Sequence, residues 1–128
     1  MKDLVRAAAT AREQAYAPYS GYLVGAAAQS ADGRVWTGAN VENVSYPVGL
    51  CAERAALAKM VNDGITELAA LAVVTRDGGT PCGMCLQFML EFAKDPGAVK
   101  VVVAGLDSGQ ELHYTLADLL PHGFTIAG

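Results

Sequence analysis

Leu4, Ala8, Ala11 and Ala15 recur at helical spacing and predict an amphipathic helix over residues 3–16, which Pro18 stops. Residues 22–30 and 34–39 read as a β-hairpin turned at Ala31-Asp32-Gly33, with β-favouring side chains at Val35, Trp36 and Thr37. A polar loop from Gly38 to Gly49 leads to a helix over 51–63, rich in strong helix formers from Ala52 to Lys59 and closed by Gly64. Two short apolar runs, 69–75 and 99–104, have the length of buried strands. Between them a Gly-Gly turn precedes a helix over about 83–94, ended by Asp95-Pro96-Gly97. A strand near 111–115 and a helical turn at 116–120 complete the pattern. This order predicts an α/β fold, a three-layer α-β-α sandwich around a mixed five-stranded sheet with an N-terminal β-hairpin and parallel central strands.

With 128 residues, 52% of them hydrophobic, the chain suits a single domain over 1–128 with a real core. Its formal charge of −4 argues against a nucleic-acid partner, because that affinity comes largely from Lys and Arg neutralising phosphates. No apolar run reaches the ~20 residues of a transmembrane helix, so no membrane association is expected. The start, Met1-Lys2-Asp3-Leu4-Val5-Arg6, lacks a signal-peptide core, and a cytoplasmic location is the expectation.

The three cysteines, Cys51, Cys82 and Cys85, are too few and unpaired for a disulfide framework. Any one of them could be an inert buried thiol. Cys82-Gly83-Met84-Cys85 has the two-residue gap that lets two thiolates meet one metal ion or form a redox pair. Both Cys51 and the Cys82–Cys85 pair open predicted helices, where free N–H groups and the dipole lower thiol pKa values. Two adjacent parallel strands are expected to set those helix starts side by side at their carboxyl ends. Three thiolates fill three positions of a tetrahedral zinc and leave the fourth open, the layout of a catalytic site. His113 and His122 are not at ligand spacing from the cysteines and read as ordinary residues.

Glu53 leaves its helix in a different direction from Cys51 and can reach the open position. There a carboxylate could take a proton from zinc-held water and deliver it to a substrate nitrogen. The alternative role is a first-turn carboxylate facing the helix dipole, worth ~0.3–1 kcal/mol. Zn²⁺ with three thiolates carries net charge −1, and the Arg54 guanidinium could withdraw part of it by donating to the sulfurs; otherwise Arg54 is a solvated helix residue.

Cys51-Ala52-Glu53 followed by Pro81-Cys82-Gly83-Met84-Cys85 resembles the zinc-dependent nucleoside and nucleobase deaminases. The short chain and the segment Asn40-Val41-Glu42-Asn43-Val44-Ser45-Tyr46 look like the small homotetrameric cytidine deaminases, which act on free nucleosides. The likeness runs from Tyr19-Ser20 through Val24-Gly25-Ala26-Ala27 to Leu119-Leu120-Pro121 and Phe124. It implies one Zn²⁺ per subunit on Cys51, Cys82 and Cys85, with Glu53 as the proton shuttle. It also implies ribose recognition by Asn40 and Glu42, a pocket aromatic at Tyr22, and the Ala52 N–H on the pyrimidine oxygen. Tyr46 and Phe124 would complete pockets, the latter in a neighbouring subunit of a homotetramer with shared active sites. From the residues alone, Asn40 and Glu42 could equally be loop polar groups.

Three positions depart from the family pattern. Tyr22 stands in place of Phe, Pro47-Val48-Gly49-Leu50 in place of a Gly-Leu-Thr stretch, and Leu86 in place of Arg. The implied reaction is hydrolytic deamination of cytidine and 2′-deoxycytidine to uridine and 2′-deoxyuridine plus ammonia, a pyrimidine-salvage step. Two rival readings are a deaminase of a modified cytosine nucleoside or blasticidin S-like antibiotic, and a noncatalytic zinc-stabilised binding module.

Overall fold

Residues 1–126 are described by the structure, a computed structural model. Helix α1 (Lys2–Arg12) precedes a hairpin of β1 (Gly25–Ser30) and β2 (Val35–Ala39). A short 3₁₀ turn at Tyr46–Val48 leads into α2 (Ala52–Asn62), β3 (Leu68–Thr75), α3 (Gly83–Leu90), β4 (Lys100–Gly105), β5 (Glu111–Thr115) and α4 (Leu116–Leu119).

The strands form one mixed sheet in the order β2-β1-β3-β4-β5. Strand alternation divides its residues between two faces. Ala26, Ala28, Leu71, Val73, Val101 and Val103 pack under α2, α3 and α4, together with Leu57, Met60, Met89 and Leu116. Ala27, Ala70, Ala72, Val74, Val102 and Ala104 pack under α1 through Leu4 and Ala8. The result is the expected three-layer arrangement, with small residues on the α1 side that let this helix lie close to the sheet.

Among the five strands of the sheet, only β3 and β4 pair in parallel. The helices that open with cysteine follow β2 and β3, which point the same way but are separated by antiparallel β1. The expected pair of adjacent parallel strands is therefore replaced by two strands flanking a third. The long loop before α2, bridged at Val41 to Tyr16 and Leu50, delivers Cys51 to the start of α2.

Two predicted helices are shorter than expected. Helix α1 stops at Arg12, and Ala15 lies beyond it. Past that point Tyr16 N donates to the Asn40 carbonyl at 2.9 Å, and Tyr16 O accepts from Glu42 N at 2.8 Å. These partners draw the backbone into an extended bridge with Val41. Helix α3 ends at Leu90 and not 94, where the Phe92 carbonyl accepts from Leu68 N at 2.8 Å at the start of β3. Tertiary hydrogen bonds claim the backbone groups that two further helical turns would have used.

The seat of α2 matters most for the site. Its far end closes on Gly64, at φ +84°, with Ile65 N donating to Met60 O and Gly64 N to Val61 O. Lys59 Nζ donates to Thr37 O at 2.7 Å, and Trp36 Nε1 to Asp63 Oδ2 at 2.6 Å, tying α2 to β2. Near its start the helix rests on Gly38, where a Cβ would fall 2.6 Å from Ala56 N and 2.7 Å from Ala52 O. Only glycine lets the first turn of α2 approach β2 this closely.

Replacing Gly38 by Ala should therefore destabilise the protein by about 1–3 kcal/mol, lowering the melting midpoint by on the order of 5 °C or more. Gly83→Ala is the control. A Cβ there meets nothing within 4 Å at the first position of α3, and calorimetry should place its midpoint near that of the unmodified protein.

Candidate active site

Cys51 is the N-cap of α2, Cys82 is the N-cap of α3, and Cys85 lies in the first turn of α3. Bridges Tyr16–Val41 and Val41–Leu50 hold the loop that delivers Cys51. The sulfurs of Cys51 and Cys82 are 3.9 Å apart, and those of Cys82 and Cys85 are 3.5 Å apart. All three lie within 4.8 Å of one another, and no fourth His, Cys, Asp or Glu joins the group among the described residues. A tetrahedral zinc with sulfurs at about 2.3 Å has S–S edges of about 3.8 Å. The donor set and the measured edges fit such an ion with one corner left for a small ligand.

The charges around the triad are arranged in opposite senses. Cys51 is drawn down to about 5, first by its hydrogen bond with Cys85 and then by Arg54, with burial opposing. Cys85 is pushed up for the complementary reasons, its bond to Cys51 and its burial. Arg54 Nη2 donates to Cys51 Sγ at 3.4 Å, as expected for a cation that spreads the thiolate charge.

Glu53 is 5% exposed on the first turn of α2, beside this cluster. Burial, and then the Cys51 thiolate, push its carboxyl up to about 7, against the opposing pull of its own backbone N–H and Arg54. A carboxyl titrating near neutrality is suited to accepting and releasing a proton.

Both groups open into a cleft of about 730 Å³, a volume typical of small-molecule sites. Asn40, Glu42, Tyr22, Tyr46, Ala52, Glu53, Arg54, Cys51 and Cys82 all contribute to its lining. Ala52 is buried at the first position of α2, where a backbone N–H has no intrahelical acceptor. Tyr46 is 75% exposed at the rim and meets Tyr19 edge-on, with ring centres 6.3 Å apart. Phe124, 76% exposed, stays outside the lining of its own chain's cleft. Its main chain is clipped to α3 by Gln87, which donates to Phe124 O at 2.7 Å and accepts from Phe124 N at 3.0 Å.

Asn40 and Glu42 already have work within the chain. Asn40 donates to Tyr22 O and accepts from Val24 N, both at 2.9 Å. Glu42 accepts from Tyr19 N at 3.0 Å, from Ser20 N at 3.1 Å and from the Ser20 hydroxyl, which is the main reason its carboxyl lies below the usual range. The pair shapes the Tyr19–Val24 wall of the cleft. The sequence reading missed Ser20 and Asp77 as organising residues. Ser20 orients Glu42, and Asp77 accepts from the Tyr22 hydroxyl at 2.6 Å. Both partnerships span more than twenty residues, so no local pattern announces them. Leu86, the departure after Cys85, is a buried residue of α3 and part of the core cluster.

The family model for the cytidine and deoxycytidylate deaminase zinc-binding region matches residues 1–104. The chain is 42% identical to a cytidine deaminase from Sporosarcina psychrophila over 98% of this chain and 91% of that one. It is 44% identical to a cytidine deaminase from Halalkalibacterium halodurans over 95% and 92%. The crystal structure of a cytidine deaminase from Burkholderia pseudomallei superposes with a TM-score of 0.89 at 43% identity, covering 96% of this chain and 98% of that one.

Because a zinc ion needs ionised sulfurs, its uptake by the Cys51, Cys82 and Cys85 cluster should release a thiol proton. Calorimetric titrations in buffers of different ionisation enthalpy should reveal that proton, and zinc affinity should rise with pH. Cys85→Ser should lose both the tight binding and the thermal stabilisation by zinc.

Proposed function

The chain belongs to the cytidine and deoxycytidylate deaminase family and is a deaminase, and on that premise we propose that it hydrolyses cytidine and 2′-deoxycytidine to uridine and 2′-deoxyuridine plus ammonia. The setting would be cytoplasmic pyrimidine salvage. The observation that carries this reading is a buried carboxyl, Glu53, lining the same cleft as Cys51 and Cys82 of the three-thiol cluster.

Cys51, Cys82 and Cys85 would hold one zinc ion per subunit, which when bound supplies a Lewis acid that makes water a nucleophile near neutral pH. Glu53 accepts a proton from the attacking water and places it on ring N3 of the base. As the C4–N bond breaks, the same carboxyl carries the second proton to the departing amine, so water and cytidine balance uridine and ammonia. Burial prepares Glu53 for this, because a carboxyl near pH 7 gives up and regains a proton at similar cost. Arg54 tempers the thiolate charge from the side of Cys51.

On the substrate side, the Ala52 N–H at the start of α2 faces the pyrimidine oxygen. The Tyr22 ring walls the base, and Asn40 and Glu42 meet the ribose hydroxyls with the hydrogen-bonding capacity left by their contacts to the Tyr19–Val24 segment. Tyr46 closes the rim. Phe124, outside the lining of its own cleft, completes that of a neighbouring subunit in a homotetramer with shared sites. Family membership removes the noncatalytic binding module from consideration.

Glu53→Gln should lower kcat on cytidine by at least about a thousandfold while zinc content stays at the wild-type level. An ultraviolet assay paired with metal analysis of the same sample checks this, and near-normal turnover by that variant would remove Glu53 from the proton path. Light scattering should return the mass of four chains.

A further inference from the structure

Two walls of the cleft are joined by a contact that the chemistry does not require. One wall is the segment entering β1, which carries Tyr22; the other is the loop from β3 to α3, which carries Asp77 and runs directly into Cys82. The Tyr22 hydroxyl donates to Asp77 Oδ1 at 2.6 Å across 55 residues of chain. Asp77 Oδ1 also accepts from the Thr75 hydroxyl at 3.3 Å, and Thr75 Oγ1 in turn accepts from Gly78 N at 2.7 Å and Gly79 N at 3.2 Å. The Arg76 guanidinium lies 5.5 Å from the centre of the Tyr22 ring. A Cβ on Gly79 would stand 3.2 Å from the Tyr22 hydroxyl, so the loop is packed tightly against it.

Tyr22 is held at three points: its amide donates to Ser20 Oγ at 3.0 Å, its carbonyl accepts from Asn40, and its hydroxyl is held by Asp77. The hydroxyl has one proton, and it is donated to a carboxylate that does not itself line the cleft. The surface offered to a ligand is the ring.

We propose that Tyr22 and Asp77 form a latch that fixes the β3–α3 loop against the β1 entry, making Asp77 a positioning residue that sets the Tyr22 ring over the base. This rests on the deaminase reading for its kinetic consequences. A merely structural contact would change stability alone, whereas a latch that places a pocket wall changes ground-state binding of the nucleoside more than the chemical step.

The test is a double-mutant cycle of Tyr22→Phe, Asp77→Ala and the pair together. It is read by kcat and KM on cytidine and by hydrogen exchange of peptides covering 75–82. Each single change should raise KM roughly three- to tenfold with a much smaller change in kcat. The double variant should match the single ones instead of multiplying them. Exchange over 75–82 should quicken in all three, and Asp77→Asn, which keeps an acceptor, should recover most of the loss. The latch is overturned by effects that multiply, by singles without effect, or by a Tyr22→Phe change that reorders cytidine against 2′-deoxycytidine while Asp77→Ala is silent. That last result would place the hydroxyl on the substrate. Unmodified protein that leaves cytidine intact would refute the deaminase reading, and the exchange measurement would still test the latch.

Discussion

Three sulfur atoms from two helix starts have to come within 4.8 Å of one another, and the fold is arranged around that demand. Cys51 and Cys82 are both N-caps, so the convergence is that of two helix N-termini over one end of the sheet. Each terminus brings uncompensated N–H groups that favour negative charge. Bringing them together costs little only because the group they surround is anionic. The close seat of α2 on Gly38, with the bonds from Lys59 to Thr37 and from Trp36 to Asp63, keeps α2 from backing away.

Glu53 shows the same logic in a single side chain. Its position on the first turn of α2 would suit an ionised carboxylate facing the dipole, yet burial beside the Cys51 thiolate works the other way and wins. The carboxyl is thereby poised between its two forms. Arg54 answers the local excess of negative charge without neutralising it, donating to one sulfur from the next position along the helix. A surface carboxylate at the same helical position would have none of this character, so the chemistry comes from the environment and not from the residue type.

The walls of the cleft follow a different rule. Asn40, Glu42, Ser20, Tyr22 and Asp77 bind one another or each other's main chains before any ligand arrives. A pocket built in this way loses little conformational entropy on binding, because its polar groups are already oriented. Glu42 and Asn40 illustrate why a sequence reading sees only half of such residues. By themselves they read as loop polar groups, and only the family resemblance implies sugar contacts, while their hydrogen bonds with the Tyr19–Val24 segment depend on a chain reversal of some twenty residues.

The chain's own pattern was enough for the element types and their order, because hydrophobic periodicity, turn glycines and helix formers are local signals. It was also enough for the cysteine spacing and the adjacent Glu53, since Cys51-Ala52-Glu53 and Cys82-Gly83-Met84-Cys85 keep their partners within one helical turn. The lengths of α1 and α3, the placing of antiparallel β1 between β2 and β3, the burial of Glu53 and the joining of Tyr22 to Asp77 were settled only in three dimensions. Each of these depends on which distant backbone group or side chain captures a hydrogen bond or excludes water, and residues far apart in sequence carry no local trace of that competition.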